Sequence, residues 1–281
     1  MKSGKGFILS LRHCVACILL VLPVLGAVRC TMGRILPAPD SFRFAVTGNT
    51  YPDSPYKWSD DVLVRTIQSI NRENPLFLVH TGDMIHGGND WMGIRETDLN
   101  RQFDRFLAVM GRLDSILYTI PGEMDLYNNT HTVYEQRTGR KAFYSFNYGT
   151  THFIVMETRG KGDSPVNADV LDWLKGDLKV NRRTAAIIVL THDFLVKKAR
   201  QGGEHAPLCP ELHGLFRTYP VKAVISGDNE RYFECKIDNI SYVNAGCGGF
   251  RVAEKYQQNS QYYVMDFNGQ ELRVKGRNVP K

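Results

Sequence analysis

From residue 42 onward the apolar positions follow two alternating patterns. Phe42–Val46, Leu76–His80, Ile116–Ile120, Ala185–Leu190 and Val221–Ile225 are short runs rich in β-branched and other apolar residues. Runs of this length and make-up predict strands buried on both faces. Between them, apolar residues recur at helical spacing. Ser59, Asp60 and Asp61 can cap a helix with the face Leu63, Ile67 and Ile70, ending before Pro75. Leu99, Phe103, Phe106, Leu107 and Met110 form a second face. Asn167 is placed to cap a third, with Val170, Leu171, Leu174 and Leu178; Pro210 opens a fourth, with Leu212, Leu215, Phe216 and Tyr219. Hairpins are interleaved. Phe143–Phe146 and His152–Glu157 flank Tyr148-Gly149. Tyr232–Ile237 and Ile240–Asn244 flank Asp238-Asn239. Tyr262–Phe267 and Glu271–Lys275 flank Asn268-Gly269. Tyr127 to Lys141 reads as a polar surface loop. Crossover units and hairpins together predict a mixed α/β protein, with two sheets or one large one and helices outside.

Composition fits a globular chain, with 281 residues, 43% hydrophobic and 23% charged. A net charge of +6 invites an anionic partner, but the charge is concentrated at the front. Residues 1–30 hold Lys2, Lys5, Arg12 and Arg29 and no acid, leaving 31 basic against 29 acidic residues beyond them. No basic stripe remains to suit a nucleic acid. The same leader carries an apolar run from Val15 to Val28, short for a membrane span and suited to a secretory signal. Residues 1–30 are therefore expected to be a signal peptide or an N-terminal anchor, with a lipoprotein at Cys30 as a third reading. Residues 31–41 form a linker, and one domain spans 42–277. Export to the periplasm or the extracellular space follows, with membrane contact only through an uncleaved leader. In an oxidising compartment Cys209, Cys235 and Cys247 can supply a disulfide or remain buried thiols. Asn128-Asn129-Thr130 and Asn239-Ile240-Ser241 are glycosylation sequons, relevant only in a eukaryotic host.

The chemistry gathers at the ends of the five buried runs. They lead into Thr47-Gly48-Asn49-Thr50-Tyr51, Thr81-Gly82-Asp83, Pro121-Gly122-Glu123-Met124-Asp125, Thr191-His192-Asp193 and Ser226-Gly227-Asp228-Asn229-Glu230. In open α/β sheets ligands bind at the carboxyl ends of strands, so five such clusters in order suggest one composite site.

The order and setting of these clusters resemble the calcineurin-like metallophosphoesterase superfamily, which includes the purple acid phosphatases. The resemblance covers about Phe42 to Lys275. It implies a sandwich of two mixed β-sheets flanked by helices (αββα), and a two-metal site that hydrolyses phosphate mono- or diesters. Several residues depart from the family pattern. Asn49 and Tyr51 stand where the family has Asp and His. Asp83 is kept as the bridging carboxylate. Glu123 replaces a ligand Asn, Met124 replaces the catalytic His, and Asp125 is kept. His192 matches the lone His, and Asp228 and Glu230 replace two histidines.

By that resemblance one metal would be held by Asp83, Glu123, His192 and Asp228. The other would use Asn49, Tyr51, Asp83 and Glu230, with His86 as a candidate substitute ligand. Asp125 and His192 are the candidate catalytic residues. The oxygen-rich set favours Mn²⁺, Mg²⁺ or Ca²⁺ over Zn²⁺, with Fe/Zn the other candidates, as one or two ions. Met124 can neither donate a proton nor stabilise an oxyanion. Two readings follow: an exported phosphoesterase with an altered, mononuclear site acting on a phosphate ester or other small anion, or an inactive relative that serves as a binding or assembly module with a protein partner.

Overall fold

Each of the five buried runs is a strand in the computed structural model, which describes residues 41–56, 61–158, 165–198, 205–229, 231–246, 248 and 260–280. The leader, Cys247 and Glu230 lie outside the described residues. In chain order the strands are Phe42–Thr47 (β1), Phe77–His80 (β2), Ile116–Thr119 (β3), Tyr144–Tyr148 (β4), Thr151–Met156 (β5), Ala186–Thr191 (β6), Val196–Lys198 (β7), His205–Pro207 (β8), Val221–Ser226 (β9), Phe233–Ile237 (β10), Ile240–Asn244 (β11), Gln261–Phe267 (β12) and Leu272–Asn278 (β13). The helices are Asp61–Arg72 (α1), Glu96–Met110 (α2), Thr132–Thr138 (α3), Ala168–Val180 (α4) and Pro210–Arg217 (α5).

Two large mixed sheets result. One has the order β13-β12-β1-β2-β3 and the other β10-β11-β9-β6-β5-β4; β7 and β8 pair as a small ribbon. In the first sheet β1, β2 and β3 run parallel and the β12–β13 hairpin adds antiparallel. In the second, β5, β6, β9 and β11 run parallel, and the hairpin partners β4 and β10 close the edges. Parallel strands need crossovers, and the helices supply them.

Alternation along the strands sorts the core into three layers. Phe44, Val46, Phe77, Val79, Phe153, Val155, Ile188, Leu190, Ala223 and Ile225 fill the space between the sheets. The alternate residues Ala45 and Leu78 face α1 and α2 through Ile67, Ile70, Phe103 and Phe106. Ile154, Ile187, Val189 and Val224 face α4 and α5 through Leu174, Leu178, Leu212 and Phe216. Both faces of the central strands are thus dry, which explains their unbroken apolar runs. The central layer is aromatic, with Phe153 edge-on to Phe77 at 5.4 Å and stacked on Phe146 at 4.9 Å. The arrangement is the αββα sandwich that the resemblance implies.

The stretch from Tyr127 to Lys141 is not a loop. It contains α3, whose Val133 and Tyr134 are buried, and Tyr134 Oη donates to the Thr119 carbonyl at 3.0 Å. Asn167 occupies the cap position of α4, but its side chain makes no capping bond. Cys209 and Cys235 are both free and half-buried. Among the described residues no helix is long and apolar enough to cross a membrane.

Candidate metal centre at the strand ends

The loops leaving the five strands are stitched to one another by backbone bonds. Asn49 N donates to the Gly82 carbonyl at 3.0 Å, Thr50 N to Asp83 O at 2.9 Å and Gly227 N to His192 O at 2.8 Å. Asn49, Asp83 and Asp228 all adopt left-handed backbone, with φ of 51°, 55° and 50°. Asn and Asp are the non-glycine residues that adopt this conformation most readily, as Asn74 and Asp238 also do, and here it lets the loops turn sharply at the strand ends. Gly122 is needed for close approach. A Cβ there would collide with Asp83 Oδ1 and lie 2.8 Å from His192 Cε1.

His192, from the end of β6, is buried and joins the two sheets. Its Nδ1 donates to the Thr81 carbonyl, beyond β2, at 2.7 Å. That bond fixes the tautomer and leaves Nε2 as the free acceptor. Nε2 is buried with no hydrogen-bond partner, 3.7 Å from Asp83 Oδ1. A ring nitrogen of His192 and one carboxylate oxygen from each of Asp193 and Asp228 lie within 4.8 Å of one another. Asn49 Oδ1 is a second buried acceptor with no hydrogen-bond partner, while its Nδ2 donates to Asp228 O at 2.8 Å. Buried acceptors left unpaired among carboxylates are costly unless a cation completes them.

The charges respond to this crowding. Burial pushes Asp83 up, His192 opposes the shift, and Glu123 and Asp228 add to it. Burial disfavours charge on His192, but Asp83, the Thr81 carbonyl, Asp193 and Asp228 outweigh it and raise the imidazole. Each group therefore holds its proton more tightly than usual, and a metal must displace it to bind. His80 is different. Fully buried and bonded to Thr50 Oγ1 at 2.9 Å, it is driven down to about 3 and stays neutral.

Asp125 does not present a free carboxylate. Its Oδ2 accepts from Asp83 N and Gly122 N at 2.8 Å each, and Oδ1 accepts from Met84 N at 2.8 Å and Ile85 N at 3.3 Å. Burial and the charge of Asp83 push it up to about 7, against the pull of those N–H groups. The candidate catalytic role of Asp125 therefore gives way to a positioning one: it locks the loop carrying Asp83 to the loop carrying Glu123. Glu123 is exposed beside Asp83, and Met124 N donates to Asp83 Oδ1 at 3.1 Å. His86 Nδ1 is held by the Pro52 carbonyl at 3.0 Å, and Glu230 lies outside the described residues. The sequence reading missed Asp193; the only signal was its place directly after His192 at a strand end.

A family model for calcineurin-like phosphoesterases matches residues 42–229. The chain belongs to the calcineurin-like phosphoesterase family. No curated protein matches it by sequence. Its fold is shared with a dimetal phosphatase from zebrafish, Danio rerio, at 14% identity and a TM-score of 0.65, over 85% of this chain and 97% of that one. It is shared with a purple acid phosphatase from yellow lupin (Lupinus luteus) seeds, at 15% identity and 0.62, over 86% and 53%. GAP50, described as the anchor in the inner membrane complex of Plasmodium, is similar at 15% identity and 0.57, over 86% and 90%. In this family the strand-end cluster is where metal is bound, and the donors found here suit one: a buried imidazole nitrogen with no hydrogen-bond partner, and carboxylates from both sheets.

Proposed function

We propose that the protein is an exported, metal-dependent phosphoester hydrolase with one strong divalent-metal seat. The observation that carries this reading is the buried, unpaired His192 Nε2 beside Asp83, Asp193 and Asp228. Asp83, His192 and Asp228 would hold the ion, with Asp193 and Glu123 at hand. Asn49 Oδ1 would serve a weaker second position. When bound, the ion would polarise a phosphoryl oxygen and acidify a water. Three or more carboxylates favour Mn²⁺, Mg²⁺ or Ca²⁺ and repel a phosphate until that ion neutralises them. Export rests on the basic, apolar leader.

Metal analysis of purified protein, with phosphomonoester and phosphodiester assays run beside Asp83→Ala, tests the reading. Stoichiometric metal and turnover, both lost in the variant, are expected. Metal bound without turnover would favour a second reading, a binding module. Met124 favours that reading, because it stands where the family has a catalytic imidazole, and GAP50 shows the fold in a protein described as an anchor. Neither metal nor turnover would sink the site altogether.

A further inference from the structure

We propose that His131, clamped by the buried carboxylate of Glu157, donates the proton to the leaving oxygen, supplying what Met124 cannot. The inference rests on the hydrolase reading above. Glu157 follows β5 and is 4% exposed. The parallel register pairs Met156 with Thr191, so the next residues, Glu157 and His192, fall side by side on strands about 4.8 Å apart. Alternation puts both on the inner face, in line with Val155 and Leu190 between the sheets. The pairing continues one residue further, where Asp193 N donates to Thr158 Oγ1 at 3.1 Å. Glu157 is therefore an immediate neighbour of the metal centre, although none of the five motifs contains it.

His131 reaches Glu157 from the residue preceding α3. Its Nε2 lies 2.6 Å from Glu157 Oε1, and its carbonyl accepts from Glu135 N at 2.8 Å, which fixes the backbone. The side chain is 29% exposed, and among the described residues no protein group bonds Nδ1. A buried carboxylate on one imidazole nitrogen fixes the ring and leaves the second nitrogen open to a ligand. Docking α3 does not require the pair. Val133 and Tyr134 already bury the helix, Tyr134 bonds Thr119, and Arg137 pairs with Asp104.

In the step, water adds to phosphorus and the bond from phosphorus to the leaving oxygen breaks. The electron pair stays on that oxygen, which takes the proton from Nδ1–H of His131. The proton of the attacking water passes to solvent. His131 is left neutral, with Nε2–H still donated to Glu157, and regains its proton from solvent. Glu157 acts through His131 and is a positioning residue.

The need for an acid grows with the basicity of the leaving group, and that dependence separates catalysis from structure. His131→Gln keeps an N–H for Glu157. It should lose roughly 100-fold on an alkyl phosphate ester and only a few-fold on the p-nitrophenyl ester, whose leaving group needs no proton. Glu157→Gln should show the same selectivity at smaller size. Independently of turnover, inorganic phosphate added to the Mg²⁺-loaded protein should shift the ¹⁵N imidazole signals of His131. Equal losses on both esters, no loss, or an unmoved His131 signal would overturn the acid role alone. No turnover by the wild-type protein on either ester would overturn the hydrolase reading and the acid role together.

Discussion

At the scale of single residues, the site is held by groups that never touch a ligand. Asp125 shows this most clearly. A carboxylate has about four lone-pair directions, and here four backbone N–H groups use them. Asparagine is nearly isosteric, yet its amide would turn a donor toward two of those N–H groups. Asp125→Asn should therefore destabilise the protein by about 2 kcal/mol or more, since each buried unsatisfied donor costs ~1–3 kcal/mol. It should weaken metal binding as well, because the loops of Asp83 and Glu123 come apart. A denaturant midpoint unchanged from the wild type would contradict this role. Motif position marked Asp125 and His192 as residues to watch, but not what each does. Asp125 is saturated by backbone and His192 is left open at Nε2, a difference decided by hydrogen bonds across more than forty residues of chain. Glu157 was invisible for a similar reason: only the β5–β6 register brings it beside His192.

At the scale of elements, the central strands were legible because they are dry on both faces, and the hairpins because their turns carry Asp238-Asn239 and Asn268-Gly269; β3, read as buried, is an edge strand with Ile116 exposed. Helix α3 was not. It presents only Val133 and Tyr134 to the core, too few positions to show a period, and it is docked by contacts with β3 and α2. The ribbon of β7 and β8, three residues each, is likewise below the length at which alternation can be read. The first sheet has a polar clamp across three strands. Asp266 on β12 accepts from Arg43 Nε on β1 at 2.7 Å and from Lys275 on β13 at 2.8 Å. Arg43 first and Lys275 next pull Asp266 down to about 2. A depressed carboxylate contributes its stability above the unfolded pKa, near 3.9, and loses it as pH falls through the folded value. Both cations are partly exposed, so screening limits the contribution to about 1 kcal/mol. Asp266→Asn should be less stable than the wild type by that amount at pH 7. The gap should close as pH is lowered from about 5 toward 2. A gap that widens in acid would show that the clamp works otherwise.

At the scale of the whole molecule, the candidate metal centre sits where the two sheets meet. Asp83 and Glu123 come from the strand ends of one sheet, and His192, Asp193 and Asp228 from those of the other. Between the sheets the aromatic layer is continuous, but at this end packing gives way to a cluster of carboxylates around His192. A cation that binds only the folded arrangement stabilises it by mass action, about 2.7 kcal/mol at a hundredfold excess over Kd. For a domain of this size that is roughly 5–10 °C in Tm. Mn²⁺ or Mg²⁺ added to chelator-treated protein should therefore raise Tm by that much. The increment should shrink in acid, where protons on Asp83 and His192 compete with the ion. His192→Ala should abolish the increment, whereas Asp266→Asn, beside the start of β1 and away from the strand-end loops, should keep it in full. The two variants separate a staple between the sheets from diffuse binding to surface acids. If Tm rises equally in wild type and His192→Ala, the ion is bound elsewhere, and the negative strand ends are solvated faces with no metal seat.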